Sequence, residues 1–213
     1  MGISIWGMSS GFQGKNGGNI GRWVDGKNVV GPLPHPSQKP ATQGQLDSRA
    51  KFSLLTSFVN AMLPLVDAGM QFVRTGGQTS SNAAFKVNYP NVTGVSPNFT
   101  MDYPKVVFSK GSLSKPGTPE VETAVVAEVK FNWTNVFNEG YGAGTDEISV
   151  MVYNPLKDQF VFKTAAAVRS ALTYTLLLPA DFSGDTVQCY ISAVAADGKK
   201  VSDSQFIGAI AIL

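Results

Sequence analysis

Seven short runs of alternating apolar and polar residues constrain this chain more than any other feature in it. They cover residues 121–126, 128–133, 147–153, 159–164, 173–178, 187–195 and 206–212. Successive side chains of a strand point to opposite faces, so each run can bury one face and wet the other. Between the runs lie turn-forming clusters at 138–144, 154–158, 180–184 and Asp197-Gly198. Asn, Asp, Gly and Pro favour such places because they supply the backbone angles and local hydrogen bonds a reversal needs. Seven strands at this spacing, in roughly 95 residues, predict a two-sheet β-sandwich. Trp133, on the second strand, suits a position between the sheets, with Tyr174, Phe182 and Tyr190 as further core candidates.

One long helical pattern precedes that series, over residues 40–77. Leu46, Phe52, Leu55, Phe58, Val59, Met62, Leu65, Val66, Met70 and Val73 recur mostly at steps of three and four, along one side of a helix. Thr42 and Gln45 have capping-box spacing at its start. Pro64 lacks an N–H to donate, so a kink or break is expected there. Gly76-Gly77 supplies the stop.

Residues 1–39 are punctuated by glycine and read as an extended arm with hairpins. Asn16-Gly17-Gly18 and Asp25-Gly26 are turn signals, and 20–24 with 27–30 flank the second as a hairpin. Residues 31–36, Gly-Pro-Leu-Pro-His-Pro, form a stiff extended connector. Gly11-Phe12-Gln13-Gly14-Lys15-Asn16 invites a phosphate-loop reading, which fails. The first glycine is missing, Asn16 stands where Ser or Thr would hold magnesium, and no helix follows. Residues 78–114 read as a polar loop at 78–82, then short strands at 85–89, 98–103 and 105–108 packed with the helix, and 115–213 as the sandwich.

Composition removes several functions. Charged residues are 15% of the 213, and the net charge of +2 is too small and scattered for a nucleic-acid partner. Cys189 is the only cysteine, so no internal disulfide forms; it stands in an alternating strand and reads as a buried thiol. His35 is the only histidine, which rules out a two-histidine metal site within one chain. The opening residues lack the basic-then-apolar pattern of a secretory leader, predicting cytoplasmic synthesis, with release as part of a particle left open. No run approaches the ~18 apolar residues of a membrane span. The acids Asp146, Glu147, Asp181, Asp185, Asp197 and Asp203 fall mostly in turns, the usual place for Asp. No nucleophile elbow and no calcium-loop spacing is present.

Several longer motifs stand out as a set. They are Ser10-Gly11-Phe12-Gln13-Gly14-Lys15, Gln45-x-x-x-Arg49-x-x-Phe52, and Asp102-Tyr103-Pro104-Lys105-Val106. Val152-Tyr153-Asn154-Pro155-Leu156-Lys157, Arg169-Ser170, Phe182-Ser183-Gly184-Asp185-Thr186-Val187 and Ala196-Asp197-Gly198-Lys199-Lys200-Val201 complete it. With these the chain resembles a family of uncharacterised proteins from Bacteroidota. The resemblance implies a domain plan and no catalytic residues. The strand series itself is similar to fibronectin type III-like or immunoglobulin-like modules, without their paired cysteines.

The expected fold is therefore mainly β with one long kinked amphipathic helix. An N-terminal Gly-rich arm precedes it, and an Ig/fibronectin III-like sandwich follows. The expected function is that of a non-enzymatic structural subunit, of a virion, tail-like particle or filament, assembling through its arm and helix. Trp6, Phe12, Trp23, Phe52, Phe58 and Met62 are the candidate interface, because large aromatics on an arm offset its ordering entropy by burial in a neighbour. Partners would be other copies and other structural proteins, with no cofactor, no metal, no nucleic acid and no membrane insertion. The alternative is a glycan- or protein-binding module using the sandwich loops, with Tyr141, Asp197 and Lys199 as contact residues.

Overall fold

The computed structural model describes residues 3–4 as backbone, then 11–24, 26–35, 39–138 and 140–213. The chain divides into two compact units, Met1–Gln43 and Gly44–Leu213.

The first unit is an antiparallel meander. Strands β1 (Ile3–Ser4), β2 (Phe12–Asn16), β3 (Asn19–Val24) and β4 (Lys27–Pro32) pair in chain order. Asn16 pairs with Asn19 and Val24 with Lys27, so two residues close each of these turns. Gly17 (φ 58°) and Gly26 (φ 74°) hold the left-handed angles that such turns require. The hairpin read at 20–30 is therefore present, and the expected connector begins inside β4. Among the described residues of 11–43 only Gly21 is buried, with the ring and carbonyl of Phe12 against it. Trp23, Val24, Val29 and Val30 are all exposed.

The second unit opens with α1 (Gln43–Ala61), α2 (Leu63–Gly69) and α3 (Ser80–Asn88), then a hairpin of β5 (Val92–Val95) and β6 (Asn98–Met101). Next come β7 (Gly117–Glu122), β8 (Glu128–Thr134), β9 (Glu147–Asn154), β10 (Gln159–Val168), β11 (Thr173–Leu177), β12 (Thr186–Val194) and β13 (Gln205–Ala211). These seven build two antiparallel sheets, in the orders β10-β9-β12-β13 and β11-β8-β7. The expected fibronectin III-like sandwich is there, in a mainly β fold.

Period-two alternation sorts the residues of β9 into two cores. Ile148, Val150 and Val152 point between the sheets and pack with Phe131, Trp133, Phe182, Val187, Cys189 and Ile191. Met151 and Tyr153 point the other way, into a second core with Leu55, Phe58, Met62, Val66 and Phe108. The four-stranded sheet is thus covered on both faces, by the other sheet and by the helices. That is why β9 is buried at every position after Glu147. Burial pushes the Cys189 thiol up to about 12, so it packs as a small apolar group.

Several parts of the sequence reading need correction, among them the strand read at 121–126, which is β7 at Gly117–Glu122. The helical pattern of 40–77 does break at the proline, with an 82° bend at Met62 and Pro64 in the first turn of α2; where it ends is what differs. The helical run ends at Gly69, before Gly76-Gly77. Gly69 lets this end close on the chain beyond it: a Cβ there would meet Phe108 and Ser109, and its carbonyl accepts Lys110 N–H at 3.1 Å. Residues 85–89, read as a strand, lie in α3 and the single 3-10 turn after it; Thr79 caps α3 by accepting Asn82 N–H at 3.2 Å. Residues 105–108 have no strand partner. The buried Asn88 amide holds them instead, donating to Val107 O at 2.6 Å and accepting Val107 N–H at 2.8 Å. A capping threonine and one bridging amide leave no trace in hydrophobic periodicity.

At the edge of the sandwich, β10 bulges where three residues, 164–166, face Ser149 alone. Ala165 takes a φ of 48° there and donates its N–H to Ser149 Oγ at 3.2 Å.

Candidate functional site

The clearest cleft in the second unit lies at one end of the sandwich, where the β8–β9 loop meets the β12–β13 turn. Its volume is 320 Å³, and Gly140, Ala143, Asp146, Ala195, Asp197 and Lys200 are among its walls. The two loops predicted as the alternative binding surface therefore do converge.

A buried ion pair holds the β8–β9 side. Arg169, wholly buried, places Nε 3.2 Å and Nη2 3.1 Å from Asp146 Oδ2. Its remaining donors reach the carbonyls of Lys115 at 3.1 Å and Ser114 at 2.6 Å. The same Asp146 oxygen accepts Ala143 N–H at 2.8 Å, and Trp133 Nε1 donates to Arg169 O at 2.7 Å. Burial pulls the Arg169 guanidinium below its usual value, while Asp146 opposes that shift. One arginine thus ties the β8–β9 loop, the segment entering β7 and the turn after β10 together. The sequence reading quoted both residues but did not pair them, since 23 residues separate them and no local spacing links them.

The β12–β13 side is a turn. Lys199 N–H donates to Asp197 Oδ1 at 2.9 Å. Lys200 crosses to the other loop: Nζ donates to Gly140 O at 2.9 Å and lies 5.4 Å from the Tyr141 ring centre. Tyr141 itself is exposed, but its side chain does not line the cleft. Asp197 lines the cleft. Lys199 points to solvent near Asp197, 4.0 Å away, and Lys200 takes the place predicted for it.

The other predicted residues fare unequally. Trp6 lies outside the described residues. Phe12 is half-buried within the first unit, and Trp23 is exposed there. Phe52 stands out from α1 with 58% of its surface exposed. Phe58 (4%) and Met62 (0%) do not serve as an interface, because both fill the chain's own core. The apolar stripe of the helix found its partner in the outer face of the four-stranded sheet.

The acids weighed as catalytic candidates mostly have structural partners. Asp185 Oδ2 accepts from Asn154 Nδ2 at 2.7 Å and Lys157 Nζ at 2.6 Å, and Lys157 also binds Asp181. Asp203 accepts Gly111 N–H at 3.1 Å. Among the described residues, no three His, Cys, Asp or Glu side chains gather as metal ligands. No single described helix is long and apolar enough to cross a membrane.

A fibronectin III-like sandwich with a helical layer on one sheet and a loop-end cleft defines the class of this protein. The chain belongs to a family of unknown function (DUF6266), whose model matches residues 11–208. No curated protein sequence matches it. Among solved structures it is similar to the twitchin kinase region from C. elegans, at 14% identity and a TM-score of 0.35, over 48% of this chain and 17% of that one. It is also similar to the fn3 domain of human collagen alpha-1(XX) chain, at 13% identity and 0.33, over 47% of this chain and 86% of that one. The fn3 domain of human contactin 1 matches at 14% identity and 0.28, over 46% and 81%.

Proposed function

We propose that this protein is a non-enzymatic structural subunit that self-assembles through its N-terminal unit and the exposed part of α1. The observation that carries this reading is the open sheet of the first unit. Its strands expose Trp23, Val24, Val29 and Val30, and only Gly21 is buried among the described residues of 11–43. A small sheet without a covered apolar face is marginal alone, and exposed aromatic and β-branched residues together favour contact with another molecule. Phe52 on α1 adds a second open apolar group. Partners are other copies, and other structural subunits of a virion, tail-like particle or filament. Light scattering on size-exclusion fractions tests this: the full chain is expected to associate with rising concentration, and removal of residues 1–39 to weaken association. A full chain that stays monomeric at high concentration overturns it.

The loop-end cleft supports a second reading, a glycan- or protein-binding module. Its supporting observation is the exposed Tyr141 ring beside Lys200, whose side chain also lines the cleft with Asp197. Saturable binding on a glycan array, lost in Tyr141→Ala, is the expected result under that reading.

A further inference from the structure

Two apolar surfaces of the second unit remain open, and they differ in shape and in charge. The first is a groove of 240 Å³ between α1 and α3, walled by Phe52, Phe85 and Val59 and rimmed by Thr56, Asn60 and Asn82. The rings of Phe52 and Phe85 stand 5.1 Å apart, and Tyr89 continues the row 5.8 Å beyond Phe85. No charged side chain lines the groove. Helical spacing puts Arg49 one turn before Phe52 and Lys86 one turn after Asn82, both exposed. Asp47 is the one acid of α1.

The second surface is a knob at the β7–β8 turn, at the end of the other sheet. Val125 and Val126 are exposed there, the latter by 63%. Ala127, at φ 57°, fixes the turn. Its N–H donates to Leu213 O at 3.3 Å, and its carbonyl accepts Leu178 N–H at 2.8 Å. These bonds bring exposed Leu213 and Leu177 beside the two valines. Exposed Glu120 and Glu122 on β7 and half-buried Glu128 on β8 flank this patch, with Glu122 paired to Lys130 at 2.8 Å.

Charge is divided the same way on a larger scale. Residues 44–116 carry seven Lys and Arg against three Asp, whereas 117–213 carry six against eleven acids. Groove against groove would set Arg49 and Lys86 against like charges, and knob against knob would do the same with the glutamates. Knob into groove pairs opposite signs. Two different patches on one subunit, complementary to each other, make a heterologous contact that builds rings or open filaments.

We infer that the β7–β8 turn of one copy docks into the α1–α3 groove of the next, joining copies head to tail. This inference rests on the self-assembly reading and names the surfaces used by α1. The valine pair enters the aromatic groove, and the glutamates of β7 face Arg49 and Lys86. Sedimentation velocity on the full chain at low salt tests it with two exposed-site variants. Phe52→Glu closes the groove and keeps the knob; Val126→Glu spoils the knob and keeps the groove. Each alone is expected to weaken association at least about tenfold. Mixed in equal amounts they retain one good knob-into-groove contact, so the mixture associates more strongly than either variant alone and less than the wild type. A mixture that stays monomeric, or single variants that assemble like the wild type, overturns the inference and leaves the broader reading standing. A wild-type chain that never associates overturns both. If either variant fails to fold, Lys86→Glu with Glu120→Lys repeats the test: each alone weakens assembly, and an equal mixture, in which both knob-into-groove pairings again join opposite charges, restores it, while no effect of either overturns the pairing.

Discussion

The two β regions of this chain solve the same problem differently. The four-stranded sheet of the sandwich is covered twice, by β11-β8-β7 on one face and by the helices on the other. The four-stranded meander of residues 1–43 has one buried residue among those described from 11 onward. Strand pairing alone leaves backbone and side chains open to water, and it is the second layer that makes a sheet stable in isolation. The sandwich therefore carries its own stability, whereas the meander does not. The meander has apolar surface to spare, and the proposed assembly draws on that difference.

The sharpest way to break this contrast is at Arg169. Replacing it with Ala leaves Asp146 buried without its partner and frees the carbonyls of Ser114 and Lys115. Chemical denaturation is expected to show a loss of about 3–5 kcal/mol. A loss below about 1 kcal/mol would mean that the ion pair does not hold the loop end. Next comes a matched pair of aromatic truncations. Phe58→Ala, in the core shared by α1 and the sheet, is expected to cost about 3–5 kcal/mol. Trp23→Ala, on the open meander, is expected to stay within about 0.5 kcal/mol for the monomer. Equal costs would show that the meander is packed as tightly as the sandwich.

The smallest expected effect is electrostatic. Lys157 first, and then the Asn154 amide, hold the Asp185 carboxyl below its usual range. The ionised form is favoured in the folded state, so its contribution is full above the unfolded pKa of about 3.9 and is lost as pH falls through the lower folded value. Lys157 is raised, chiefly by Asp185. Its share is present below the unfolded lysine pKa and disappears as pH rises through the higher folded one. Asp185→Asn should therefore flatten the stability profile on the acid side, read by urea denaturation from about pH 5 to about pH 2. An unchanged acid limb would remove this pair from the account.

Much of the sandwich was legible because strand alternation is local. β8, β9, β12 and β13 fall within a residue of their expected bounds. Pro64 announced the bend in the helix for the same reason: its missing N–H acts within one turn. What could not be read was whatever depends on distant contact. Phe58 and Phe52 sit on the same periodic stripe, yet one is core and the other is surface, because the sheet covers only part of α1. Asn88 gripping Val107 and Arg169 gripping Asp146 are likewise invisible to periodicity. The loop-end cleft was half legible. Turn composition located both loops, while the choice of Lys200 over Lys199 depended on which side chain spans the gap to Gly140.

The irregularity in β10 limits how copies of this protein can join. Recruiting a neighbour by backbone pairing requires an unbroken row of evenly spaced amide and carbonyl groups along the outer strand. Three residues facing one interrupt that row, and Ala165 turns its amide inward to a serine hydroxyl. Lateral, amyloid-like growth is thereby discouraged along this margin, so the proposed assembly would use side chains there rather than strand pairing.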